Sequence, residues 1–451
     1  MSTVEYRDAI FAYVETSCSP QTLMSAYAFE ASGRPASDLV RWIADRAASL
    51  APLRQRMVRP FGDIGLPIWS DDPQFTPDRH IRVHTAEDWA ELCVLLPTIH
   101  AEPFDWAKPL WEVHLIQGVR GVDGRDDPSD VAVVKMHHSV ADGMGATEIA
   151  RALFSSDIAA ECTPTGSTSR FATMAKAVAM LPVTLGRLPV DLLRFVRAQK
   201  QVRAEEAEGL WKSPPPQLPR TSINRKLGPD RVVDTVFSSV TELRSAAHRM
   251  GDVTVNDLVL TVIGGALATY LGDIEGPIVA SVPVSTRDVL DAGTRNRFTT
   301  AYVDLHAGIE DPVARADAVH RAVRTDRDRK LSPANVRAEV SAPRLPGFVV
   351  RTAVRVFEAL PKTSSTITGA HVLVTNVPMG PADGWQLCGS PVFANFGMST
   401  LVDPGGVAHR ISSIGDRLAV SVTADPSQMR DLPAYLELIR RGCAELVAHT
   451  E

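Results

Sequence analysis

A run of prolines near the middle of the chain constrains the fold more than any other feature of the sequence. The segment KSPPPQLPRTS (212–222) holds three consecutive prolines, which form a stiff, extended stretch that fits neither a helix nor the interior of a sheet. The 451 residues are also too many for one ordinary core, since domains typically contain roughly 100–200 residues. We therefore predict an N-terminal lobe (1–204), a proline-rich crossover linker (205–226) and a C-terminal lobe (227–451).

Both lobes alternate between helical and strand periodicity. Apolar residues three and four positions apart predict a helix over 36–50, and Thr85 and Asp88 resemble a capping box ahead of a second helix. The further predicted elements are strands over 110–117, 131–138, 278–284, 299–305, 372–377, 391–396, 408–414 and 418–423, and helices over 143–154, 241–250, 255–270 and 433–448. This alternation predicts an α/β fold in which each lobe is a mixed sheet with helices.

Charge and cysteine content narrow the function classes. The chain has 47 basic and 53 acidic residues and a net charge of −6, which disfavours nucleic-acid partners. Its five cysteines include no CxxC pair, which disfavours a disulfide framework and a structural zinc site and fits a reducing, cytoplasmic compartment. The N-terminus MSTVEYRDAIF lacks the apolar core of a signal peptide. The longest apolar run, 258–271, is shorter than the ~20 residues of a membrane span, so we expect a soluble protein or one that rests on a surface.

Two amphipathic, basic stretches bear on contact with such a surface. The segment 171–203 has six Lys or Arg residues and one acidic residue among regularly spaced apolar ones, and 348–360 is similar. Pro182 and Pro189 are expected to break the first stretch into pieces. Two interpretations stay open: core-facing helices with solvated basic edges, or peripheral contact with a membrane or lipid-droplet surface.

The strongest chemical signal is the decapeptide MHHSVADGMG (136–145), at the end of an apolar strand and the start of a helix. Side chains alternate along a strand, so His137 and His138 should point to opposite sides, and one imidazole can face a cleft. This geometry argues against both histidines binding one metal ion. Asp142 can turn back to brace the loop, and Gly143 supplies either an unusual backbone conformation or room for a ligand.

An imidazole that faces a cleft is suited to general-base catalysis. Its unperturbed pKa of ~6.5 leaves it mostly neutral at pH 7 and able to take a proton from an alcohol or a thiol. The sequence contains no Gly-x-Ser-x-Gly motif, so a serine hydrolase is disfavoured. The alternatives are a purely structural role for the two histidines and a metal-dependent hydrolase, for which too few ligand candidates lie at recognised spacing.

A second candidate site lies at the start of the predicted helix over 255–270. Thr254 is expected to cap this helix, which places Asp257 where orphan amides and the helix dipole favour a carboxylate by ~0.3–1 kcal/mol. Capping alone can account for Asp257. Asn256 is not needed for capping, so we expect its amide to hold an acceptor or a developing oxyanion.

The HHSVADG segment resembles the His-His-x-x-x-Asp-Gly motif of the acyl-CoA-dependent acyltransferase superfamily, which includes chloramphenicol acetyltransferase and peptide-synthetase condensation domains. Further segments are similar to those of bacterial wax ester synthase/diacylglycerol acyltransferases and occur in the expected order. They are DAIFAYVETSCS (8–19), PLWE (109–112), TVND (254–257), VPVSTR (282–287) and VTNVP (374–378). Taken together the blocks are specific, and the resemblance runs from about residue 6 to residue 447.

The resemblance implies two chloramphenicol-acetyltransferase-like lobes with an active-site tunnel between them. It implies that His138 is the general base that deprotonates a hydroxyl, which then attacks the thioester of a fatty acyl-CoA without a metal or cofactor. His137 and Asp142 would be structural, and Asp142 would pair with either Arg54 or Arg287. The implied partners are acyl-CoA and a lipid alcohol, either diacylglycerol or a long-chain alcohol.

The predicted site combines the motif with the neighbouring blocks. The catalytic residues are His137, His138, Asp142, Gly143 and Asn256, and the substrate-binding residues are Pro109, Leu110, Trp111, Glu112 and Asp257. The bulk of Trp111 favours a role in shaping the core or the tunnel over one in chemistry. The expected location is the cytoplasm, either free or in peripheral association with a membrane or lipid-droplet surface.

Three departures from the family pattern lie in the C-terminal lobe. Met379 is inserted after the VTNVP block, the usual Gly-Asn is replaced by Arg295-Asn296, and the segment 407–414 is more polar than the family's apolar pattern. These departures leave the acceptor open. A specialised hydroxylated metabolite is an alternative to diacylglycerol or a long-chain alcohol, and a non-catalytic lipid-binding relative is a further alternative.

Overall fold

A computed structural model describes residues 2–156, 166–211, 217–272, 274–289, 293–360 and 364–448. The helices in these ranges are α1 (Tyr6–Val14), α2 (Ala36–Ser49), α3 (Ala51–Arg54), α4 (Trp89–Ala101), α5 (Gly143–Leu153), α6 (Arg170–Ala207), α7 (Val240–Arg249), α8 (Val255–Leu271), α9 (Pro312–Leu331), α10 (Pro333–Val340), α11 (Gly347–Ala359) and α12 (Leu432–Ala448). The helices predicted from periodicity are therefore confirmed to within one or two residues at each end.

The strands of the described ranges also follow the prediction where a prediction was made. They are β1 (Ser2–Thr3), β2 (Thr22–Glu30), β3 (Gln55–Val58), β4 (Ile68–Asp71), β5 (Ile81–His84), β6 (Trp111–Val119), β7 (Ser129–His137), β8 (Leu218–Pro219), β9 (Val232–Ser239), β10 (Val279–Ser285), β11 (Phe298–Asp304), β12 (Thr366–Ile367), β13 (Val372–Gly380), β14 (Gln386–Leu387), β15 (Ser390–Met398), β16 (Val407–Ile414) and β17 (Arg417–Ala424).

Two six-stranded sheets organise the molecule. The N-terminal sheet has the order β14-β15-β2-β7-β6-β5, and the C-terminal sheet has the order β11-β10-β13-β16-β17-β9. Both are mixed: β5 runs parallel to β6, and β13 runs parallel to β10 and β16, while the other neighbours are antiparallel. The predicted α/β architecture of two lobes, each a mixed sheet with helices, is thereby confirmed.

The C-terminal half of the chain contributes two strands to the N-terminal sheet. Strands β14 and β15 follow the linker in sequence, yet β15 pairs with β2, with Met398 opposite Met24 and Phe396 opposite Ala26. The division into 1–204, 205–226 and 227–451 does not include this crossover. Residues 212–216 of the proline run lie outside the described residues, and β8 directly after them pairs with β12.

Strand β7 runs through the centre of the N-terminal sheet, and the histidine motif begins at its C-terminal end. All nine of its residues are buried, because β2 and β6 flank it on both sides and apolar clusters cover both faces. A strand buried on both faces is expected to be a continuous apolar run. The strand therefore ends at His137 in a rigid position, and the loop to α5 starts from a fixed point.

Two local predictions are wrong. The helix α6 is continuous through Pro182 and Pro189, because its outer side faces solvent, where water can satisfy the carbonyls that each proline leaves unpaired. The cap of α4 is Asp88, whose carboxylate accepts a hydrogen bond from the backbone amide of Glu91. Thr85 therefore does not cap this helix.

The length of α6 also corrects the expectation that no segment could reach across a membrane. Among the described helices, α6 alone is long and apolar enough to do so, and 11% of its most apolar window is buried. Its two prolines and its basic residues distinguish it from an ordinary membrane span.

Candidate active site

His138 lies where the two lobes meet. Its backbone amide donates to the carbonyl of Gln21 (2.8 Å), and its ring stacks on Phe11 with centroids 4.2 Å apart and planes 9° from parallel. Phe298 of the C-terminal lobe lies at 5.9 Å on centroid distance. The ring therefore sits in a fixed orientation between an aromatic side chain of the N-terminal lobe and one of the C-terminal lobe.

A cavity of about 220 Å³ opens beside this ring. Both lobes contribute to its wall, and the exposed surface of the lining is mainly apolar although 11 of its 19 residues carry polar side chains. The lining residues are Thr22, Leu23, His138, Asp142, Gly143, Met144, Pro283, Ser285, Arg287, Arg297, Phe298, Leu373, Thr375, Asn376, Val377, Met398, Ser399, Thr400 and Arg410. His138 thus lines a cavity to which both lobes contribute.

Hydrogen bonds around Asn296 determine which nitrogen of His138 carries the proton. The Asn296 Nδ2 group donates to the His138 carbonyl (2.9 Å) and to Asp8 Oδ1 (2.9 Å). The other end of the amide, Oδ1, therefore faces His138 Nδ1 at 3.0 Å and can only accept. The proton of the neutral imidazole then sits on Nδ1. Its Nε2 keeps a lone pair and makes no hydrogen bond to the described residues.

Asp8 holds this arrangement from the first helix of the chain. Its Oδ1 accepts from the Thr294 hydroxyl (2.7 Å) and the Asn296 amide (2.9 Å), and its Oδ2 accepts from the Arg295 amide (3.0 Å). Neither Asp8 nor Asn296 was predicted to belong to the site. Their only signals were the DAIF opening and the Arg295-Asn296 departure, each noted for resemblance alone.

The environment of His138 keeps its ring neutral. Burial lowers the pKa of His138 from 6.5 to about 4, and the hydrogen bond from Nδ1 to Asn296 opposes this shift in part. The nearby ring of His137 lowers the pKa further. At pH 7 the imidazole is therefore uncharged, which is the form that accepts a proton.

His137 has an entirely different set of neighbours. Its Nδ1 accepts from the Ser139 amide (3.1 Å), and its Nε2 lies 3.6 Å from Glu15 Oε1. The edge of its ring contacts Trp106 at 5.0 Å between centroids. None of these partners hydrogen-bonds to the ring of His138 or stacks on it, so the two rings have separate surroundings as predicted, although β7 ends at His137 and His138 is the first residue of the following loop. Within the described residues no cluster of three or more His, Cys, Asp or Glu side chains could hold a metal ion.

Asp142 joins the two lobes through a buried ion pair. Its carboxylate caps α5 by accepting from the Gly145 amide (2.8 Å), and it accepts from Arg287 Nη1 and Nη2 (3.0 and 2.8 Å) and from the Arg297 amide (2.9 Å). Burial alone would raise the pKa of Asp142, but Arg287 and the amides lower it below its usual range. Of the two candidate arginines the partner is Arg287, while Arg54 donates to a backbone carbonyl of α2.

Gly143 is required by a close approach between the lobes. Its φ is not in the left-handed region, so the unusual backbone conformation considered from the sequence does not occur. A Cβ at this position would lie 3.0 Å from Cγ2 of Val377, tighter than ordinary contact. The glycine therefore lets strand β13 pack against the start of α5 at the cavity.

The Asn-Asp block lies one contact away from the cavity. Thr254 and Asp257 form the capping box of α8 (Thr254 amide to Asp257 Oδ2, 3.0 Å), and Asp257 also pairs with His320 of α9 at 2.8 Å. These contacts give Asp257 a structural role. Asn256 Oδ1 accepts from Asn376 Nδ2 at 2.9 Å, and Asn376 lines the cavity. Asn256 thus orients a lining residue.

The PLWE block supports the strands and does not line the cavity. Pro109, Leu110 and Trp111 are buried, and the indole of Trp111 donates to the Leu53 carbonyl (2.7 Å). Glu112 lies beside the buried amine of Lys135 (3.4 Å). The backbone carbonyl of Leu110 accepts from the His137 amide (3.0 Å). The block therefore holds the end of β7 in place from the neighbouring strand.

Two family models match nearly the whole chain. The wax ester synthase/diacylglycerol acyltransferase catalytic domain matches residues 5–259, and the C-terminal domain of the same group matches residues 294–446. The first match contains the histidine motif and the Asn-Asp block, and the second contains Asn296 and Arg410.

Individual relatives and solved structures are also similar to this chain over most of its length. A Mycobacterium tuberculosis (strain ATCC 25618 / H37Rv) protein provisionally named a diacylglycerol O-acyltransferase is 27% identical over 449 residues, 94% of this chain and 86% of the relative. The solved wax ester synthase/diacylglycerol acyltransferase from Marinobacter aquaeolei VT8 has a TM-score of 0.66 at 20% identity, covering 100% of both chains. Trichothecene 15-O-acetyltransferase from Fusarium sporotrichioides has a TM-score of 0.60 at 15% identity, covering 99% of this chain and 94% of that one.

Proposed function

Because the chain belongs to the wax ester synthase/diacylglycerol acyltransferase family and is an acyltransferase of that type, we propose that it transfers a fatty acyl group from acyl-CoA to the hydroxyl of a lipid alcohol. His138 is the general base. The observation that carries the proposal is the unprotonated Nε2 of His138 at a cavity lined by both lobes. Diacylglycerol or a long-chain alcohol is the default acceptor, giving triacylglycerol or a wax ester.

The proposed reaction needs no covalent enzyme intermediate. His138 Nε2 removes the proton of the acceptor hydroxyl as its oxygen forms a bond to the thioester carbonyl carbon. The tetrahedral intermediate then collapses, the carbon–sulfur bond breaks, and His138 Nε2 donates the proton taken from the hydroxyl to the leaving thiolate of CoA. An ester and free CoA leave, and the proton on His138 Nδ1 stays hydrogen-bonded to Asn296 Oδ1 throughout, because Asp8 and the His138 carbonyl keep the amide from turning.

The direct test is release of CoA. Purified protein with palmitoyl-CoA should release free thiol when diacylglycerol or a long-chain alcohol is added, in step with ester formation. The specialised-acceptor alternative predicts thiol release only with other hydroxylated compounds. Lipid binding without thiol release across a panel of alcohols would instead favour the non-catalytic alternative, and loss of activity on exhaustive chelation would favour a metal-dependent enzyme.

The pKa of His138 makes a specific prediction about pH. The base works when unprotonated, and an imidazole with a pKa of about 4 is still about 90% neutral at pH 5, whereas one at ~6.5 is mostly protonated there. We expect kcat/KM to stay nearly constant from pH 8 to pH 5 and to fall only below that. Measurement of kcat/KM across this range, with circular dichroism at each pH to show that the protein remains folded, checks it. A decline centred near pH 6.5 would contradict the buried, neutral imidazole.

We further propose that α6 and α11 rest on a lipid surface at the cytoplasmic side. Along α6 many apolar side chains face solvent, among them Phe171 (77% exposed), Leu185 and Leu192, and α11 adds Phe348 and Phe357. Basic residues of α6 stand beside them. An apolar face flanked by positive charges matches the chemistry of an anionic lipid surface, and the long helix then lies in the interface.

Flotation with vesicles tests this contact. Wild-type protein should float with vesicles of phosphatidylcholine and phosphatidylglycerol at low salt and less so at high salt, because screening weakens the electrostatic part. The double variant Leu185→Glu/Leu192→Glu should lose most of the floating fraction. Val94→Glu, which changes an even more exposed apolar residue on α4, is the control and should float like wild type. Equal flotation of all three proteins, or of none, would remove α6 as the contact.

A further inference from the structure

Arg410 lies in the middle of β16 and reaches the cavity that contains His138. It is 5% exposed. It pairs in register with Thr375 of the neighbouring parallel strand, so both side chains stand on the same face of the sheet, and both line the cavity. Arg410 belongs to the segment 407–414, which is more polar than the family pattern.

The guanidinium of Arg410 has no charged partner among the described residues. Its Nη2 donates to the Ser25 hydroxyl (2.7 Å) and, at 3.4 Å, to Asn395 Oδ1. Its Nε is buried and has no hydrogen-bond partner within the part of the chain that the structure describes. Arg287 in the same cavity is different, because it is neutralised by Asp142. Arg410 is thus a buried positive charge held by two neutral groups.

Burying a guanidinium charge costs free energy unless an opposite charge or hydrogen bonds compensate it. A guanidinium stays protonated in proteins, so Arg410 cannot avoid the energetic cost of burial by losing its charge. Burial does lower the pKa of Arg410. A buried charge is normally paired or forms charge-assisted hydrogen bonds. An aliphatic alcohol or a diacylglycerol brings no such partner into the cavity.

From this we infer that Arg410 binds an anionic group, a carboxylate or a phosphate, carried by the acceptor, so that the preferred acceptor is an acidic hydroxylated molecule. The inference rests on the proposed acyl transfer and narrows its acceptor. Hydroxyl side chains of Thr22, Thr375 and Ser399 line the same cavity and suit the polar surroundings of such a group. The planar guanidinium offers bidentate donors to either anion.

The anion belongs to the acceptor because of where Arg410 stands. The phosphates of acyl-CoA are separated from the thioester by the whole pantetheine arm. Arg410 lines the same cavity of about 220 Å³ as the base, and the base must lie beside the reacting thioester. The fatty acyl chain is neutral. The acceptor is the remaining substrate that can bring a negative charge this close to His138.

Matched acceptors test the inference. With palmitoyl-CoA as donor, wild-type protein should acylate 12-hydroxydodecanoate or 12-hydroxydodecyl phosphate with a kcat/KM about tenfold to a hundredfold above that of methyl 12-hydroxydodecanoate, since bonds to charged groups have that strength. Whichever of the two acidic acceptors has the higher kcat/KM shows whether Arg410 prefers a carboxylate or a phosphate. In Arg410→Gln this ratio should collapse towards one, and in Arg410→Lys, which keeps the charge, it should be partly retained.

Each outcome of this experiment either supports or contradicts the inference about Arg410. A wild-type preference for the methyl ester, or a ratio that Arg410→Gln leaves unchanged, overturns the inference. An equal loss on acidic and neutral acceptors assigns Arg410 to the thioester carbonyl and overturns it as well. Should Arg410→Gln not fold, inhibition of the wild-type enzyme decides: dodecanoate should compete with the acceptor at least tenfold better than dodecanol does. Thiol release with diacylglycerol but no acidic preference leaves the proposed function standing, whereas no thiol release with any acceptor means that the proposed function itself has failed.

Discussion

Replacing His138 by alanine is expected to lower kcat/KM for acyl transfer from palmitoyl-CoA by about 10²–10⁴-fold, the range that a general base contributes. The loss should appear in kcat far more than in KM, because the imidazole acts on the proton in transit and supplies little of the binding surface. His138 is one of many residues around the cavity. Thiol release measured at saturating and at low acceptor concentrations separates the two constants.

The matched control removes an imidazole from elsewhere in the chain. His248 lies exposed in the last turn of α7, so His248→Ala should leave thiol release unchanged. The thermal unfolding of His138→Ala should stay close to that of wild type, since Phe11 and Phe298 still pack beside the site. Undiminished thiol release by a folded His138→Ala protein would reject general-base catalysis by this residue.

The sequence was sufficient for what local interactions decide. Thr254 was predicted to cap α8 with Asp257 in its first turn, and both are found there, because a cap depends only on residues three positions apart. The motif at the end of an apolar strand, with a helix starting at Gly143, was predicted for the same reason. Periodicity located the strand β15 as well, though not the sheet that it joins.

Contacts between distant segments could not be predicted. The Nδ1 proton of His138 depends on Asn296, which is 158 positions away, and Asn296 depends on Asp8, 288 positions away. No spacing rule links such positions in a single sequence. The partner of Asp142 stayed open between Arg54 and Arg287 for the same reason: charge complementarity allowed both, and only the packing of the two lobes distinguishes them.

The continuity of α6 shows a different limit of prediction from the sequence. A proline inside a helix is costly because it removes a hydrogen bond and crowds the preceding turn, and this cost predicted breaks at Pro182 and Pro189. Most of α6 faces solvent, where the unpaired carbonyls can be hydrated. Whether a local penalty breaks an element thus depends on its surroundings, which the sequence alone does not reveal.

Replacing Asp142 by alanine is expected to destabilise the protein by about 3 kcal/mol, the lower end of the cost of breaking a buried ion pair. The change leaves Arg287 without its counter-charge and removes the acceptor of the Gly145 and Arg297 amides. The estimate sits at the lower end because the Arg287 side chain is 24% exposed and water can solvate part of it. Urea unfolding followed by circular dichroism measures the change.

The position of this pair, between the lobes, makes the prediction more specific. Asp142 comes from the N-terminal lobe, while Arg287 and Arg297 come from the C-terminal lobe, so its loss should loosen the cavity wall and lower acyl transfer even where the variant remains folded. Glu437→Ala, which removes a carboxylate that pairs with Arg440 and Arg441 on the exposed face of α12, should leave the unfolding transition unchanged, because exposed pairs contribute little. An Asp142→Ala protein that unfolds at the same urea concentration as the Glu437→Ala protein would show that the lobes are held together without this ion pair.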